Sequence, residues 1–335
     1  MNPKKVTLIP GDLAEHNLVH PILDLLAIAG ARIEWETFGA SPNPAEAARD
    51  ALSEDCLRSI RTNGVALRGP FSDPAGQRLN PAVVLRKELG LYAGVRHAET
   101  VPGIPGRYKD IDLYVIRENT EDVYAGLEHE VHPGVVESIK VVSKAASERI
   151  FRFAFRFARE HGRRQVTIVH KANIMKQADG LFLKTGLEMA AEYPDIETRG
   201  LIVDNTSMQL VQNPHQFDIL VCGNLYGDII GDLCAGIAGG ASALWGVDYG
   251  DDCAVFSMTH DRPSLLEHPD QVNPLPIVMP AIQLLKRIGQ FEAAEHLRKA
   301  IQTTLVESDA LTPDLGGNAS TTEMLKALEQ ALRNL

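Results

Sequence analysis

The sequence predicts an α/β chain folded in two lobes. Short apolar runs stop at turn residues and alternate with stretches of helical periodicity, which is the pattern of a helix-covered sheet. Those apolar runs end repeatedly in charged or polar side chains, where ligands sit in open α/β sheets. The chain is 335 residues long and 44% apolar, more than one compact core usually absorbs.

Val6 to Ile9 reads as a buried strand stopped by Pro10-Gly11-Asp12, and Leu18, Ile22, Leu25 and Leu26 are spaced for a helix. Strands at Arg32 to Glu36 and Gly64 to Leu67 alternate with helices at Pro44 to Leu52 and Glu54 to Ile60, an order that predicts parallel pairing. Further strands are expected at Leu91 to Val95, Ile111 to Ile116, Gln165 to Val169, Ile202 to Val203 and Ile219 to Cys222. No Gly-x-Gly-x-x-Gly follows the first strand, so the usual dinucleotide fingerprint is absent. No internal repeat or low-complexity segment interrupts the pattern.

A net charge of -11 with no run of Lys or Arg weighs against nucleic acid and anionic membrane as partners. No run of eighteen apolar residues and no signal peptide is seen, and a cytoplasmic protein is expected. Cys56, Cys222, Cys234 and Cys253 lack Cys-x-x-Cys spacing and lie mostly in apolar contexts, which predicts reduced, buried thiols.

The densest candidate site is Asn224-Leu-Tyr-Gly-Asp-Ile-Ile-Gly-Asp232 after the strand Ile219 to Cys222. Asp228 and Asp232, four apart, share one helix face, and two neighbouring carboxylates are tolerated where a cation lies between them or where both are solvated. An exposed acidic face is the common case, but the apolar and small flanking residues suit a helix that lines a cleft. Arg86, Arg96 and Arg117 lie near turns, and three guanidinium forks on one cleft would suit a polycarboxylate. Tyr124 follows Arg117 closely, Lys171 closes the strand Gln165 to Val169, and both are candidates for proton transfer. Taken singly, these are surface or ion-pair arginines, a packing aromatic and a helix-entry cation, and Asp204 is a helix cap. Their repeated placement at strand ends favours a shared site.

Four segments then identify a resemblance. Ile116-Arg-Glu-Asn-Thr-Glu-Asp-Val-Tyr-Ala-Gly-Leu-Glu-His129, Val169-His-Lys-Ala-Asn-Ile-Met175, Asn224 to Asp232 and Asp314-Leu-Gly-Gly-Asn-Ala-Ser-Thr321 resemble the β-decarboxylating dehydrogenases, which act on isocitrate, isopropylmalate, homoisocitrate and tartrate or malate. The likeness runs in register over nearly the whole chain, and Tyr-Ala-Gly-Leu-Glu-His with Ser138-Ile-Lys140 is most similar to NAD-type isocitrate dehydrogenases. It implies the two-domain fold of that family, with parallel-rich sheets and a central cleft. Residues 1–98 and 251–335 would form a discontinuous cofactor-side domain, and 99–250 a smaller domain with a dimerisation arm around Gly134 to Val142 and a helix from Lys144 to Arg159. It further implies Arg86, Arg96, Arg117 and Asn80 on substrate carboxylates, Tyr124 and Lys171 as acid and base, and Asp204, Asp228 and Asp232 on Mg²⁺ or Mn²⁺. His260, Asn273, Asp314 and Asn173 would face NAD, with NADP not excluded. The family is a homodimer whose Lys171 and Asp204 equivalents reach into the partner's cleft.

Three departures qualify what is implied. Where the family reads Gly-Asp-Gly-Ile-Gly-Pro-Glu after strand one, this chain reads Gly11-Asp-Leu-Ala-Glu-His-Asn17. The family's cofactor loop is His260-Asp-Arg-Pro-Ser-Leu265 here, with Leu265 where an Asp would hold the NAD ribose or a Lys the NADP phosphate, and Ser257 replaces an acidic residue. Of the Ser and Asn that recognise isocitrate, one position is Asn80 and the other Ala82, which cannot hydrogen-bond. Three readings stay open: an NAD(P)-dependent oxidative decarboxylase of an isocitrate-like 2-hydroxy di- or tricarboxylate, a member with an isopropylmalate-, homoisocitrate- or tartrate-type or specialised substrate, and a noncatalytic carboxylate-binding or regulatory homologue without cofactor.

Overall fold

The computed structural model describes residues 3–11, 18–41, 43–71, 81–258 and 269–335. Asn80, His260 and the altered loops at 12–17 and 259–268 lie outside them. The described residues form a ten-stranded sheet, a separate two-stranded hairpin and eleven α-helices.

The sheet strands are β1 (Lys4–Ile9), β2 (Ile33–Thr37), β3 (Val65–Arg68), β4 (Ala93–Glu99), β5 (Asp112–Glu118), β8 (Gln165–His170), β9 (Glu197–Ile202), β10 (Ile219–Cys222), β11 (Leu244–Tyr249) and β12 (Ala254–Ser257). Their order across the sheet is β2-β1-β3-β12-β11-β4-β5-β10-β8-β9. Pairing is parallel in the outer blocks β2-β1-β3-β12 and β5-β10-β8-β9, and antiparallel from β12 through β11 and β4 to β5. The parallel pairing read from the β-α-β-α order of the first strands is present there and in both flanks, as a parallel-rich sheet requires, and only the centre is antiparallel. The reason is connection: β4 returns to β5, and β11 to β12, without an intervening helix, so these neighbours run antiparallel.

The helices are α1 (Val19–Ile28), α2 (Pro44–Ala51), α3 (Glu54–Asn63), α4 (Pro81–Glu88), α5 (Lys144–Glu160), α6 (Ala178–Ala190), α7 (Val203–Gln212), α8 (Asn224–Ala238), α9 (Leu275–Arg287), α10 (Phe291–Glu307) and α11 (Thr321–Arg333). Strand alternation sorts them into two layers. Tyr114 and Ile116 of β5, with Val95 and Val247, join one core with Phe151 and Phe155 of α5, Phe182 of α6 and the apolar faces of α1 and α9 to α11. Leu113 and Val115 point the other way, into a second core with Ile230 and Cys234 of α8 and Leu210 of α7. On that same side a third core packs Ile9, Ala66 and Val255 against Cys56, Leu57 and Ile60 of α3 and Leu85 of α4.

Local signals set several boundaries. Ser53 caps α3 through a 3.2 Å bond from the Cys56 amide, and Gly64, at φ 71°, ends it in the left-handed conformation that glycine adopts without steric cost. β6 (Glu128–His132) and β7 (Val135–Ser138) form an exposed antiparallel hairpin that overlaps the start of the segment Gly134 to Val142. The domain boundaries expected from the sequence fall at the end of β4 and in the turn between β11 and β12. All four cysteines are buried and free, as expected.

Candidate active site

The site lies on the side of the sheet that carries the second and third cores, and strand register builds it. Cys222, Arg117, Gly94, Asp248 and Val255 are successive partners across β10, β5, β4, β11 and β12. Arg117, Gly94 and Asp248 thus project on one face, and Arg96, two residues along β4, projects with them. These residues make a polar seam between two apolar clusters. Gly94 is required there, because a Cβ would come 2.9 Å from the Asn119 amide and 3.1 Å from Asp248 Oδ1.

α8 closes over the seam through glycine. A Cβ at Gly227 would lie 2.7 Å from Cβ and Cγ of Arg117, and one at Gly231 3.8 Å from Arg96 Cγ. Close approach of the helix brings Asp228 onto Arg117: Nη1 of Arg117 donates to Asp228 Oδ1, and its Nε donates to Asn224 Oδ1 at 2.7 Å. The Tyr124 hydroxyl donates to the other oxygen, Asp228 Oδ2, and the Arg117 guanidinium lies 4.9 Å from the centre of the Tyr124 ring. Burial and then the Asp228 carboxylate push the Tyr124 phenol above its ordinary pKa, so it is protonated at neutral pH and able to donate.

Beside this group, Arg86 Nε donates to Asp248 Oδ2 at 2.8 Å and Arg96 Nη1 lies 3.5 Å from Asp248 Oδ1. The Asn119 amide donates to Asp248 Oδ1 at 3.0 Å. Burial opposes the Asp248 charge, but Arg86 and Arg96 outweigh it and hold the carboxyl well below the usual range. Burial lowers Arg96 to about 10, with Asp248 pulling it back and Arg86 and Arg117 adding to the fall. Arg86 and Arg96 thus meet on Asp248, and Arg117 stands two strands across in the same register, so the three arginines predicted from sequence lie close together.

The other predicted residues form separate groups. Lys171 Nζ pairs with Asp204 Oδ1 at 2.7 Å on an exposed surface, and that ammonium lowers the Asp204 pKa. Asp204 is not a helix cap: Ile202 occupies the N-cap of α7 and Asp204 sits in its first turn. Asp232 is exposed on α8 one turn beyond Asp228. Among the described residues no three His, Cys, Asp or Glu side chains gather as metal ligands within one chain. Asn273 donates to Asp314 Oδ2 at 2.9 Å and to Ser242 at 2.7 Å, and accepts from the Leu275 amide, so this pair also ties the start of α9 to the Thr312 loop. Asn173 is exposed in the turn after β8.

Sequence reasoning missed Asp248 and a buried network around Lys140. Lys140 Nζ lies 3.1 Å from Asp122 and 3.2 Å from Asp179, with the Tyr226 ring centre at 4.4 Å. Asp179 accepts the Lys171 amide at 2.6 Å and Asp122 the Leu225 amide at 3.2 Å, so one ammonium ties together the starts of the Lys171 loop, α8 and the Tyr124 turn. The available signal for Asp248 was a lone acid inside the apolar run Leu244-Trp-Gly-Val-Asp-Tyr249.

Residues 5–328 match the family profile described as isocitrate/isopropylmalate dehydrogenase. The chain is 41% identical over 330 residues to an Arabidopsis thaliana protein named isocitrate dehydrogenase [NAD] catalytic subunit 5, mitochondrial, covering 97% of this chain and 88% of that one. It is 40% identical over 331 residues to a second protein of the same plant, isocitrate dehydrogenase [NAD] regulatory subunit 2, mitochondrial, covering 97% and 89%. The crystal structure of isocitrate dehydrogenase from Methylococcus capsulatus superposes with a TM-score of 0.89 at 37% identity, covering 99% of this chain and all of that one. The cytoplasmic expectation is corrected by the two plant relatives, which are mitochondrial by name and point to the mitochondrion. The lack of a membrane-length apolar run bears on membranes and does not distinguish one aqueous compartment from another; among the described residues no helix is long and apolar enough to cross a membrane.

Proposed function

This chain belongs to the isocitrate/isopropylmalate dehydrogenase family, and we propose that it carries out metal-dependent oxidative decarboxylation of an isocitrate-like 2-hydroxy di- or tricarboxylate with NAD or NADP. The observation that carries this reading is the convergence of Arg117 and Tyr124, from one segment, onto the Asp228 carboxylate of α8, with Arg86 and Arg96 meeting beside them on Asp248.

Each residue has a task that follows from its surroundings. Arg96 and Arg117 are buried guanidinium groups that bind substrate carboxylates and orient the carbon skeleton. Tyr124, kept protonated, donates a proton to the carbon left electron-rich when carbon dioxide departs. Lys171, whose ammonium pairs with Asp204, relays the hydroxyl proton in a partner's cleft by releasing one proton to solvent as it takes another, so a homodimer shares its two sites. Asp228 and Asp232, with the partner's contribution at the Asp204 position, offer the all-oxygen donors that a hard Mg²⁺ or Mn²⁺ prefers. The bound cation supplies Lewis acidity at the substrate hydroxyl, and the nicotinamide ring supplies the hydride acceptor.

Calorimetry tests this. With Mn²⁺ and isocitrate or isopropylmalate present, NAD or NADP is expected to bind, and carbon dioxide release is expected to match reduced cofactor one for one. Carboxylate binding without either cofactor would replace the reading with a noncatalytic regulatory protein, and one relative is regulatory by name.

A further inference from the structure

The arginine cluster already holds one carboxylate of the protein's own. Asp248 is 4% exposed and reaches the seam from β11, where its register partner Gly94 removes the side chain that would block it. Its two oxygens are directed at the two arginines: Oδ2 accepts from Arg86 Nε at 2.8 Å, and Oδ1 faces Arg96 Nη1 at 3.5 Å while accepting from Asn119 at 3.0 Å. A guanidinium engaged in this way has fewer donors for a ligand, and its charge is already compensated in a poorly solvated place. A second carboxylate arriving at the same arginines meets the Asp248 charge at close range, where repulsion is weakly screened.

We propose that Asp248 sets substrate specificity by standing in for one substrate carboxylate on Arg86 and Arg96, so that the cleft selects 2-hydroxy dicarboxylates over tricarboxylates. The proposal rests on the reading of this cleft as a hydroxy-carboxylate site. It also agrees with Ala82, which is buried and lacks a hydrogen-bonding group at a position where the family resemblance implies one that recognises isocitrate. Asn119 and Gly94 are positioning residues for Asp248: one fixes its Oδ1, the other leaves it room.

The test is calorimetric titration of isopropylmalate and of isocitrate, each with Mn²⁺, into the full-length protein and its Asp248→Asn variant. The wild-type chain is expected to bind the dicarboxylate more tightly. The variant, in which Asp248 no longer offsets the charge of Arg86 and Arg96, is expected to shift the affinity ratio toward isocitrate by about tenfold or more. A loss of structure alone would weaken both ligands together, so an unchanged ratio in a folded variant overturns the proposal, as does wild-type preference for isocitrate. If the variant does not fold, the wild-type preference decides by itself. Failure of both carboxylates to bind either protein would instead overturn the hydroxy-carboxylate reading, and this inference with it.

Discussion

Tyr124 illustrates how much a single side chain's role depends on what faces it. Its ring is 40% exposed and would pass for a surface aromatic, yet its hydroxyl is spent on Asp228 and its face on Arg117. Tyr124→Phe keeps the ring and the guanidinium stacking while removing the proton. The expected outcome is a fall in kcat of about 10²–10⁴ with KM nearly unchanged, read by steady-state kinetics. The pH profile adds a sign: the donor must be protonated, and its pKa is raised, so any loss of kcat from its ionisation occurs at higher pH than for an ordinary tyrosine and is missing in the variant. Equal losses in kcat and in substrate affinity would show that the hydroxyl only supports the fold of the cleft. Arg117, Tyr124 and Asp228 were legible as candidates because each lies in a segment with a distinctive order of residues. Asp248 was not, since its meaning comes from Arg86, 162 positions away, and no local pattern announces that contact.

Among the elements, α8 carries most of the geometry, and it does so with the residues it lacks. Gly227 and Gly231 lower the intrinsic stability of a helix, and Gly→Ala at an open helical position normally stabilises by about 1 kcal/mol. At Gly227 the sign reverses, because the new methyl would meet Arg117 Cβ and Cγ at 2.7 Å and its Cα at 3.2 Å. Gly227→Ala is expected to destabilise by about 1–3 kcal/mol and to weaken Mn²⁺ binding as Asp228 is lifted from the seam. Thermal melting and metal titration on the same sample check both, and a stabilised variant with intact metal affinity would refute the close-packing account. The helix itself was readable from the spacing of Asp228 and Asp232, whereas the antiparallel centre of the sheet was not. Strand identity is written in runs such as Ile219 to Cys222, all four buried, but strand direction is settled by which neighbour the chain meets. The same limit explains Asp204. A lone acid after a strand suits a cap, and only the fold shows it two positions beyond the N-cap Ile202 and opposite Lys171.

For the whole molecule, the decisive question is whether one chain completes its own cleft. Within the chain Lys171 pairs with Asp204 while Tyr124 pairs with Asp228, two separate groups. Apolar side chains stand exposed on the surrounding surface, Met208 and Val211 on α7, Ile229 on α8, and Val135 and Val136 on the β6-β7 hairpin, as an unpartnered interface would leave them. If two chains share their sites, Lys171 of one serves Tyr124 of the other, and Tyr124→Phe and Lys171→Met lesions complement each other. Each homodimeric variant has a lesion in both clefts. After exchange of protomers between equal amounts, half of the dimers are mixed, and each mixed dimer holds one cleft with both lesions and one with neither. About a quarter of the wild-type activity should therefore return on mixing. If instead Lys171 and Tyr124 act within the same chain's cleft, every cleft of the mixed dimer carries one lesion, and activity stays at the level of the separate variants. Measuring activity against time of exchange, with the mixed dimer confirmed by native mass spectrometry, separates the two arrangements without any change to substrate, metal or cofactor.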